Sequence, residues 1–382
     1  MAVRICIVYD CLYPYTVGGA ERWYRNVAES LVAEGHEVTY ATLRQWPRGT
    51  KLDLDERVRV VAVGPRMGLY TNARRRILPP LVFGAGVLWH LLRHGRRYEV
   101  VHTASFPYFS LLAAAALRPL YGYRLVVDWH EAWSRNYWRD YLGRIGGAVG
   151  FLIQRQCMHV PQRAFCFSRL YARRLREGGL RGEVIVLPGQ YTGPYDSLSP
   201  GGAEPVVVFA GRLIPEKRAG LAVAAFAAAA EQIEGLRGEF YGDGPTRSDL
   251  LDAIEQFGVA DRVSAPGFTG VEEIDTALRG AMCMLSTSRR EGYGLIVVEA
   301  AARATPSIVV AGEDNAASEL IEEGVNGFVV ESSDPAAIAA AIVRVRELDF
   351  ALRESTANWF DAHARELSLA ESLRTVVASY AD

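Results

Sequence analysis

The chain has 382 residues, half of them hydrophobic, and a net charge of −2. That length exceeds one typical core and suits two domains, while the near-neutral balance gives no sign of a nucleic-acid partner. Five Cys form no CxxC pair and lie mostly in apolar surroundings, so they read as reduced, buried thiols of a cytoplasmic protein.

The small net charge hides an asymmetry. Residues 1–188 hold 27 Lys+Arg against 14 Asp+Glu, a net of +13; residues 189–382 hold 15 against 30, a net of −15. One basic and one acidic half predict two domains with different partners. Lys occurs only at 51 and 217, against 40 Arg, which singles out each Lys. Met1-Ala2-Val3-Arg4 runs straight into an apolar strand, so no signal peptide is expected. The apolar runs 78–92 and 111–117 are too short or too interrupted to span a bilayer.

Taken in order, Val3–Tyr9 is a continuous apolar run of the buried parallel type. A Gly-Gly loop follows, then an amphipathic helix over Ala20–Glu34 stopped by Gly35. Glu37–Ala41, Val58–Val63, Val100–Thr103 and Arg124–Asp128 read as strands with helical segments between them. Such alternation predicts a doubly wound parallel sheet. The Gly-, Pro- and Ser-rich stretch 188–205 reads as a linker, placed at 189–204. The pattern then restarts. Val206–Ala210, Gly238–Tyr241, Val263–Ala265, Met282–Ser286 and Ser307–Val310 are predicted strands. Ala219–Ala230, Thr246–Phe257, Leu295–Ala304 and Ala336–Leu348 are predicted helices. The first domain is expected over 1–188 and the second over 205–362.

Several strand ends carry candidate chemistry. Gly18 and Gly19 open the first helix, where backbone amides favour negative charge; tight packing explains such a pair equally well. Gly211-Arg212-Leu213-Ile214-Pro215-Glu216-Lys217 follows the first strand of the second half. Arg212 and Lys217 are suited to clamp a diphosphate, one as a fork and one as a point charge; on charge alone a solvated basic loop explains them as well. Gly242-Asp243-Gly244-Pro245 ends the next strand and is also an ordinary turn sequence. His130 lies just past the end of a strand in the basic half, where open α/β sheets bind ligands. Arg135, Tyr137, Trp138 and Arg139 follow it as candidates for an acceptor pocket.

The chain is organised around Arg289-Arg290-Glu291-Gly292-Tyr293-Gly294-Leu295-Ile296-Val297-Val298-Glu299. A Gly-punctuated loop meets an apolar helix opening at Leu295, whose first amides form an anion site. Glu291 stands before that start and Glu299 about one turn inside it. Two acids flanking a row of amides suit a ligand with hydroxyls at both ends and a phosphate in the middle, as in a nucleotide-sugar.

Glu291-Gly292-Tyr293-Gly294-Leu295 with Glu299 eight positions after Glu291 resembles the Glu-x7-Glu signature of the retaining GT-B glycosyltransferases of family GT4. The Gly-Gly-Ala-Glu-Arg loop at 18–22, His130, the Gly-Arg-Leu-x-x-x-Lys clamp and Gly242–Pro245 match further motifs of that family in order. The resemblance implies an α/β GT-B fold, two doubly wound Rossmann-like domains facing across a cleft, with a terminal helix at about 363–382 packing back on the first domain. It implies an acceptor-binding first domain and a second domain binding a UDP- or GDP-hexose. Transfer would then go to the hydroxyl of a glycan, lipid or small molecule, with retention by front-face attack.

On that reading Arg212 and Lys217 hold the diphosphate and Glu291 the sugar hydroxyls. Glu299 holds the ribose, and His130 lies near the sugar. The family usually has Asp after this His; here it is Glu131. No metal and no cofactor are expected. Asp53-Leu54-Asp55, a DxD, reads as solvated, and His90 and His94 have no third ligand partner for zinc. Two other functions fit the architecture: a nucleotide-sugar 2-epimerase and a non-catalytic nucleotide-sugar-binding protein. Finally, Arg74-Arg75-Arg76 and Arg93, Arg96 and Arg97 bracket the apolar run 78–92, with Tyr70 and Trp89 nearby. That arrangement predicts loose attachment to an anionic membrane surface at the inner face of the cell membrane, with a lipid-linked or phosphorylated acceptor.

Overall fold

The computed structural model describes residues 2–16, 18–47, 49–71, 74–194 and 201–380, with backbone alone at residues 70, 71, 74 and 75. The chain divides into two compact units, Met1–Pro188 with Ala370–Asp382 and Gly189–Leu369.

The first unit holds a seven-stranded sheet. Its strands are β1 (Arg4–Val8), β2 (Glu37–Leu43), β3 (Arg59–Gly64), β4 (Val100–Ala104), β5 (Arg124–Trp129), β6 (Arg163–Cys166) and β7 (Val184–Val186). Their order is β3-β2-β1-β4-β5-β6-β7 and every neighbouring pair is parallel. The connecting helices are α1 (Gly19–Ala33), α2 (Leu78–His94), α3 (Tyr108–Tyr121), α4 (Arg135–Met158) and α5 (Arg169–Glu177). Strands β6 and β7 were not among the expected elements. Both are short, each lying in an apolar run of four residues, Ala164–Phe167 and Val184–Leu187, which is at the lower limit of a strand signal.

The second unit repeats the plan. Strands β8 (Glu204–Ala210), β9 (Arg237–Tyr241), β10 (Val263–Gly267), β11 (Ala281–Ser286), β12 (Ser307–Val310) and β13 (Gly327–Val330) lie in the order β10-β9-β8-β11-β12-β13. All pairs are again parallel. The helices are α6 (Ala219–Ala230), α7 (Arg247–Gln256), α8 (Val271–Gly280), α9 (Leu295–Ala301) and α10 (Pro335–Leu367). In each sheet the first strand is central and the order reverses beside it. The carboxyl ends of β1 and β4, and of β8 and β11, therefore flank the switch points where such sheets take ligands.

Strand β8 shows why both faces are covered. Val207 and Phe209 join Phe226, Phe240, Ile338 and Ile342 in one apolar cluster. Val206 and Val208 join Met284, Val297 and Ala300 in another. Alternate side chains go to opposite faces, so a strand with a core on each side needs an unbroken apolar run. Each such side chain contributes roughly 1.5–3 kcal/mol on burial.

Three boundaries differ from expectation. Residues 189–194 belong to the second unit rather than to a linker. Tyr191 is buried against Phe360 at 5.4 Å, and its amide and carbonyl bond Leu367 and Leu369; residues 195–200 of the expected linker lie outside the described residues. The C-terminal segment grouped with the first unit begins at Ala370, not at about 363, because α10 runs on to Leu367 across a kink at Asp349. Helix α9 stops at Ala301, and Ala304 turns out at φ 56.

Candidate functional site

The loops after β8 and β9 are zipped together. Gly211 N–H donates to the Tyr241 carbonyl at 3.0 Å, and Leu213 N–H to the Asp243 carbonyl at 2.9 Å. The contact leaves no room for side chains. A Cβ on Gly242 (φ +136) would lie 1.8 Å from the Gly211 carbonyl oxygen, and one on Gly244 (φ +152) 2.3 Å from that of Leu213. Glycine is required at both places by space and by φ. In this structure they let the loop after β9 pack against the loop that carries Lys217.

That loop carries Lys217 to Glu291. After the exposed Arg212, a 3-10 turn at Pro215–Lys217 aims Lys217 Nζ at Glu291 Oε1, an ion pair whose side chains are 19% and 14% exposed. Ser288 Oγ donates to the same oxygen at 2.8 Å. Thr287 Oγ1 donates to the Lys217 and Arg218 carbonyls, and Arg218 Nε returns a bond to the Thr287 carbonyl at 2.6 Å. Arg289 N–H donates to the Glu216 carbonyl at 2.8 Å, and Arg290 lies 3.9 Å from the Glu216 carboxylate. The ends of β8 and β11 are thus cross-linked at the switch point. Burial, and then the charge of Arg289, hold Arg218 below the usual guanidinium range.

By sequence these two segments carry five cations, Arg212, Lys217, Arg218, Arg289 and Arg290, and two acids, Glu216 and Glu291, in the acidic half of the chain; Arg290 also lies in register beside Asp314. Arg218, Ser288, Arg289 and Arg290 were not predicted as site residues. The signals were present in Arg218 directly after Lys217 and in the polar run Ser286-Thr287-Ser288 at a strand end.

Gly292, Tyr293 and Gly294 complete the loop, and Leu295 starts α9. Tyr293 is buried, and burial raises its hydroxyl above the usual phenol range. Glu299 lies half-buried on α9, and its charge reaches Tyr191. The structure therefore joins Lys217 directly to Glu291, while Glu299 faces a different neighbourhood one turn along the helix.

In the first unit, Gly18 caps α1 in extended conformation, with Glu21 against its Cα, and a Cβ on Gly19 would meet nothing within 4 Å. Gly19 is thus not required by packing. His130 follows β5. Its ring stacks on Phe167 at 4.7 Å and meets Tyr24 edge-on at 5.9 Å. Its Nε2 is enclosed without a hydrogen-bond partner among the described residues. Burial draws the imidazole down to about 4 despite Asp128, so it is neutral near pH 7.

Behind His130 runs a buried polar chain absent from the predicted site. Trp23 Nε1 donates to Asp128 Oδ2 at 2.6 Å, Asp128 Oδ1 meets His102 Nε2 at 2.8 Å, and His102 Nδ1 meets the Tyr380 hydroxyl. Burial pushes the Asp128 carboxyl up, but His102 and the Trp23 donor outweigh it and hold it below the usual range. A His inside the apolar strand Val100-Val101-His102-Thr103 needs such a partner, a signal in the sequence that was not used.

The predicted acceptor residues separate. Tyr137 and Trp138 are each 4% exposed, and the Trp138 indole donates to the buried Gln154. Both side chains are packed in the interior of the first unit, while Arg135 and Arg139 are exposed. Asp53 meets Arg25 at 3.2 Å and Asp55 meets Arg57 at 2.6 Å, so the DxD is occupied by arginines. His90 Nε2 bonds the Tyr98 hydroxyl at 2.8 Å. No group of three His, Cys, Asp or Glu suited to a metal occurs among the described residues.

Comparison with known proteins places this geometry in context. The family model "Glycosyltransferase Family 4" matches residues 17–189, and "Glycosyl transferases group 1" matches residues 197–360. The chain is 31% identical over 153 residues to alpha-D-kanosaminyltransferase of Streptomyces kanamyceticus, covering 40% of this chain and 39% of that protein. The chain thus spans about two fifths of that relative's length. It is 28% identical over 394 residues to D-inositol 3-phosphate glycosyltransferase of Actinosynnema mirum, covering 95% and 92% of the two chains. Among solved structures, the Anabaena HepE protein in complex with UDP-glucose superposes with a TM-score of 0.70 at 18% identity over 99% of both chains. Likeness at that identity speaks for the fold.

Proposed function

The chain belongs to glycosyltransferase family 4, with the GT-B fold, and from that premise we propose that it is a retaining glycosyltransferase. It moves a hexose from a UDP- or GDP-sugar to an acceptor hydroxyl without a metal. The observation that carries this reading is the Lys217–Glu291 pair held by Ser288 at the switch point of the second sheet.

A nucleoside diphosphate bound there takes Lys217 and Arg212 as counter-ions to the charge that grows on the leaving group. Fixed cations at that place lower the barrier without reorganisation. Glu291 then accepts hydrogen bonds from sugar hydroxyls and Glu299 from the ribose. The acceptor oxygen bonds to the anomeric carbon as the carbon–phosphate oxygen bond breaks on the same face. The acceptor proton passes to the leaving phosphate oxygen, so no side-chain nucleophile is needed.

The acceptor is proposed to be lipid-linked or phosphorylated and to be met at an anionic membrane surface. Leu78, Leu81, Leu88, Trp89 and Leu92 are exposed along α2, and Arg93 lies over the Trp89 ring at 4.1 Å. Arg76, Arg96 and Arg97 are exposed beside it. Basic residues flanking an exposed apolar helical face suit an interfacial helix. The side chains of Tyr70, Arg74 and Arg75 lie outside the described residues. No described helix is long and apolar enough to cross a membrane.

A thermal-shift screen of UDP- and GDP-hexoses in EDTA tests the donor assignment. At least one raises the unfolding temperature of the wild type, and the shift shrinks in Lys217→Ala. Absence of any shift across the panel overturns it.

A further inference from the structure

The first unit has a pocket at the end of its strands opposite to His130. It measures about 370 Å³ and lies where β4, β5 and β6 begin. Four arginines line it: Arg118, Arg124, Arg163 and Arg181. Strand β5 separates Arg124 from His130 by its whole length, roughly 20 Å at about 3.3 Å per residue. The pocket therefore lies apart from the strand end that carries His130.

Backbone carbonyls orient three of these arginines, and two carboxylates lie nearby, Glu183 beside Arg163 and Glu99 within electrostatic reach of Arg124. Arg118 Nη1 donates to the Pro161 carbonyl at 2.6 Å, Arg163 Nη1 to the Ser379 carbonyl at 2.6 Å, and Arg124 Nη2 to the Tyr380 carbonyl. A carbonyl orients a guanidinium but neutralises nothing, and each guanidinium has five N–H donors. Arg163 also meets Glu183 at 3.4 Å, but that carboxylate is 61% exposed, so the pair is weakened by solvent. Arg181 is exposed at the rim. Gathering cations around one concavity costs repulsion that an anion relieves.

We propose that this pocket is a binding site for a phosphate-bearing ligand. Arg118, Arg124, Arg163 and Arg181 grip the phosphate oxygens, for which the guanidinium fork is matched. The apolar side chains of Val100, Leu125, Val126 and Pro161 cover a small neutral body attached to it. The volume falls within the usual range for small-molecule sites. The wall formed by Ser379 and Tyr380 ties the ligand to the buried chain Tyr380–His102–Asp128.

The site does not rest on the proposed glycosyl transfer, and the test keeps the two apart. Calorimetric titration with inorganic pyrophosphate at low salt is done in a Lys217→Ala background, which removes the proposed diphosphate clamp of the second unit. Pyrophosphate binds that variant, and adding Arg118→Gln and Arg181→Ser weakens binding at least tenfold. Arg181→Ser alone, at an exposed side chain, weakens it at least threefold with unchanged thermal unfolding, which keeps the test valid if the combined variant is unstable. A parallel arm uses phosphatidylcholine vesicles with and without phosphatidic acid. Flotation with phosphatidic acid that pyrophosphate competes away and Arg181→Ser reduces assigns the phosphate to a lipid headgroup. Binding of pyrophosphate alone assigns it to a soluble compound. If neither pyrophosphate nor phosphatidic acid binds, or binding is the same with Arg118 and Arg181 replaced, the site does not exist.

Discussion

Replacing Lys217 by Ala removes one end of the contact on which the functional reading turns. Lys217 and Glu291 are 19% and 14% exposed, so their interaction is only partly screened. In the variant Glu291 keeps Ser288 as a hydrogen-bond partner at 2.8 Å, which limits the loss of stability to about 1–3 kcal/mol. The functional loss has a separate source. A cation–phosphate hydrogen bond is worth about 1.5–3 kcal/mol, which corresponds to roughly 10- to 150-fold in an equilibrium or rate constant. Because the diphosphate gains charge as it leaves, the loss appears in kcat/KM and not only in donor affinity. The assay is release of nucleoside diphosphate from the donor that passes the thermal-shift screen, with circular dichroism to show the fold intact. Glu291→Ala is expected to lose at least tenfold as well, through the sugar hydroxyls. Near-normal kcat/KM in both variants refutes the site assignment.

Other consequences follow from particular contacts. Gly242→Ala drives a Cβ to 1.8 Å from the Gly211 carbonyl at φ +136 and is expected to cost about 2–4 kcal/mol in urea unfolding; Gly19→Ala, whose Cβ meets nothing within 4 Å, is the neutral control. His90 and His130 are both drawn down to about 4 by burial from 6.5. The unfolded chain therefore binds more protons between those values, and stability present above pH 6.5 is lost as pH falls toward 4. Urea midpoints at pH 7 and pH 4.5 measure this, and His90→Gln flattens the difference; an unchanged pH dependence contradicts it. In liposome flotation the protein binds anionic but not neutral vesicles at low salt, and salt and Arg93/Arg96/Arg97→Ser weaken that binding; indifference to anionic vesicles removes the membrane reading.

The fold was legible where periodicity speaks loudly. Val206 to Phe209 and Val3 to Tyr9 are unbroken apolar runs because both sheet faces are covered, and these strands appeared within a residue or two of their expected places. Strand β6 was missed because Arg163 opens it and the apolar run that follows, Ala164–Phe167, is only four residues long. Of the site, Lys217 and Glu291 were marked by spacing and by the rarity of Lys. What sequence did not convey was contact. Nothing in the spacing says that Ser288 shares an oxygen with Lys217 on Glu291, or that Tyr380 reaches His102 across 278 positions. The burial of Tyr137 and Trp138 was hidden for a related reason: an aromatic beside arginines reads as a surface residue until its surroundings are known, here Gln154 as the buried partner of the Trp138 indole.

The most direct test of the central claim is incubation of the protein with labelled UDP- and GDP-hexoses in EDTA, with and without a lipid extract. The account predicts that label moves to an extract-borne acceptor, with nucleoside diphosphate released in equal amount and an α-donor giving an α-linked product. Free epimerised sugar formed without extract, or bound donor that is never turned over, would contradict it.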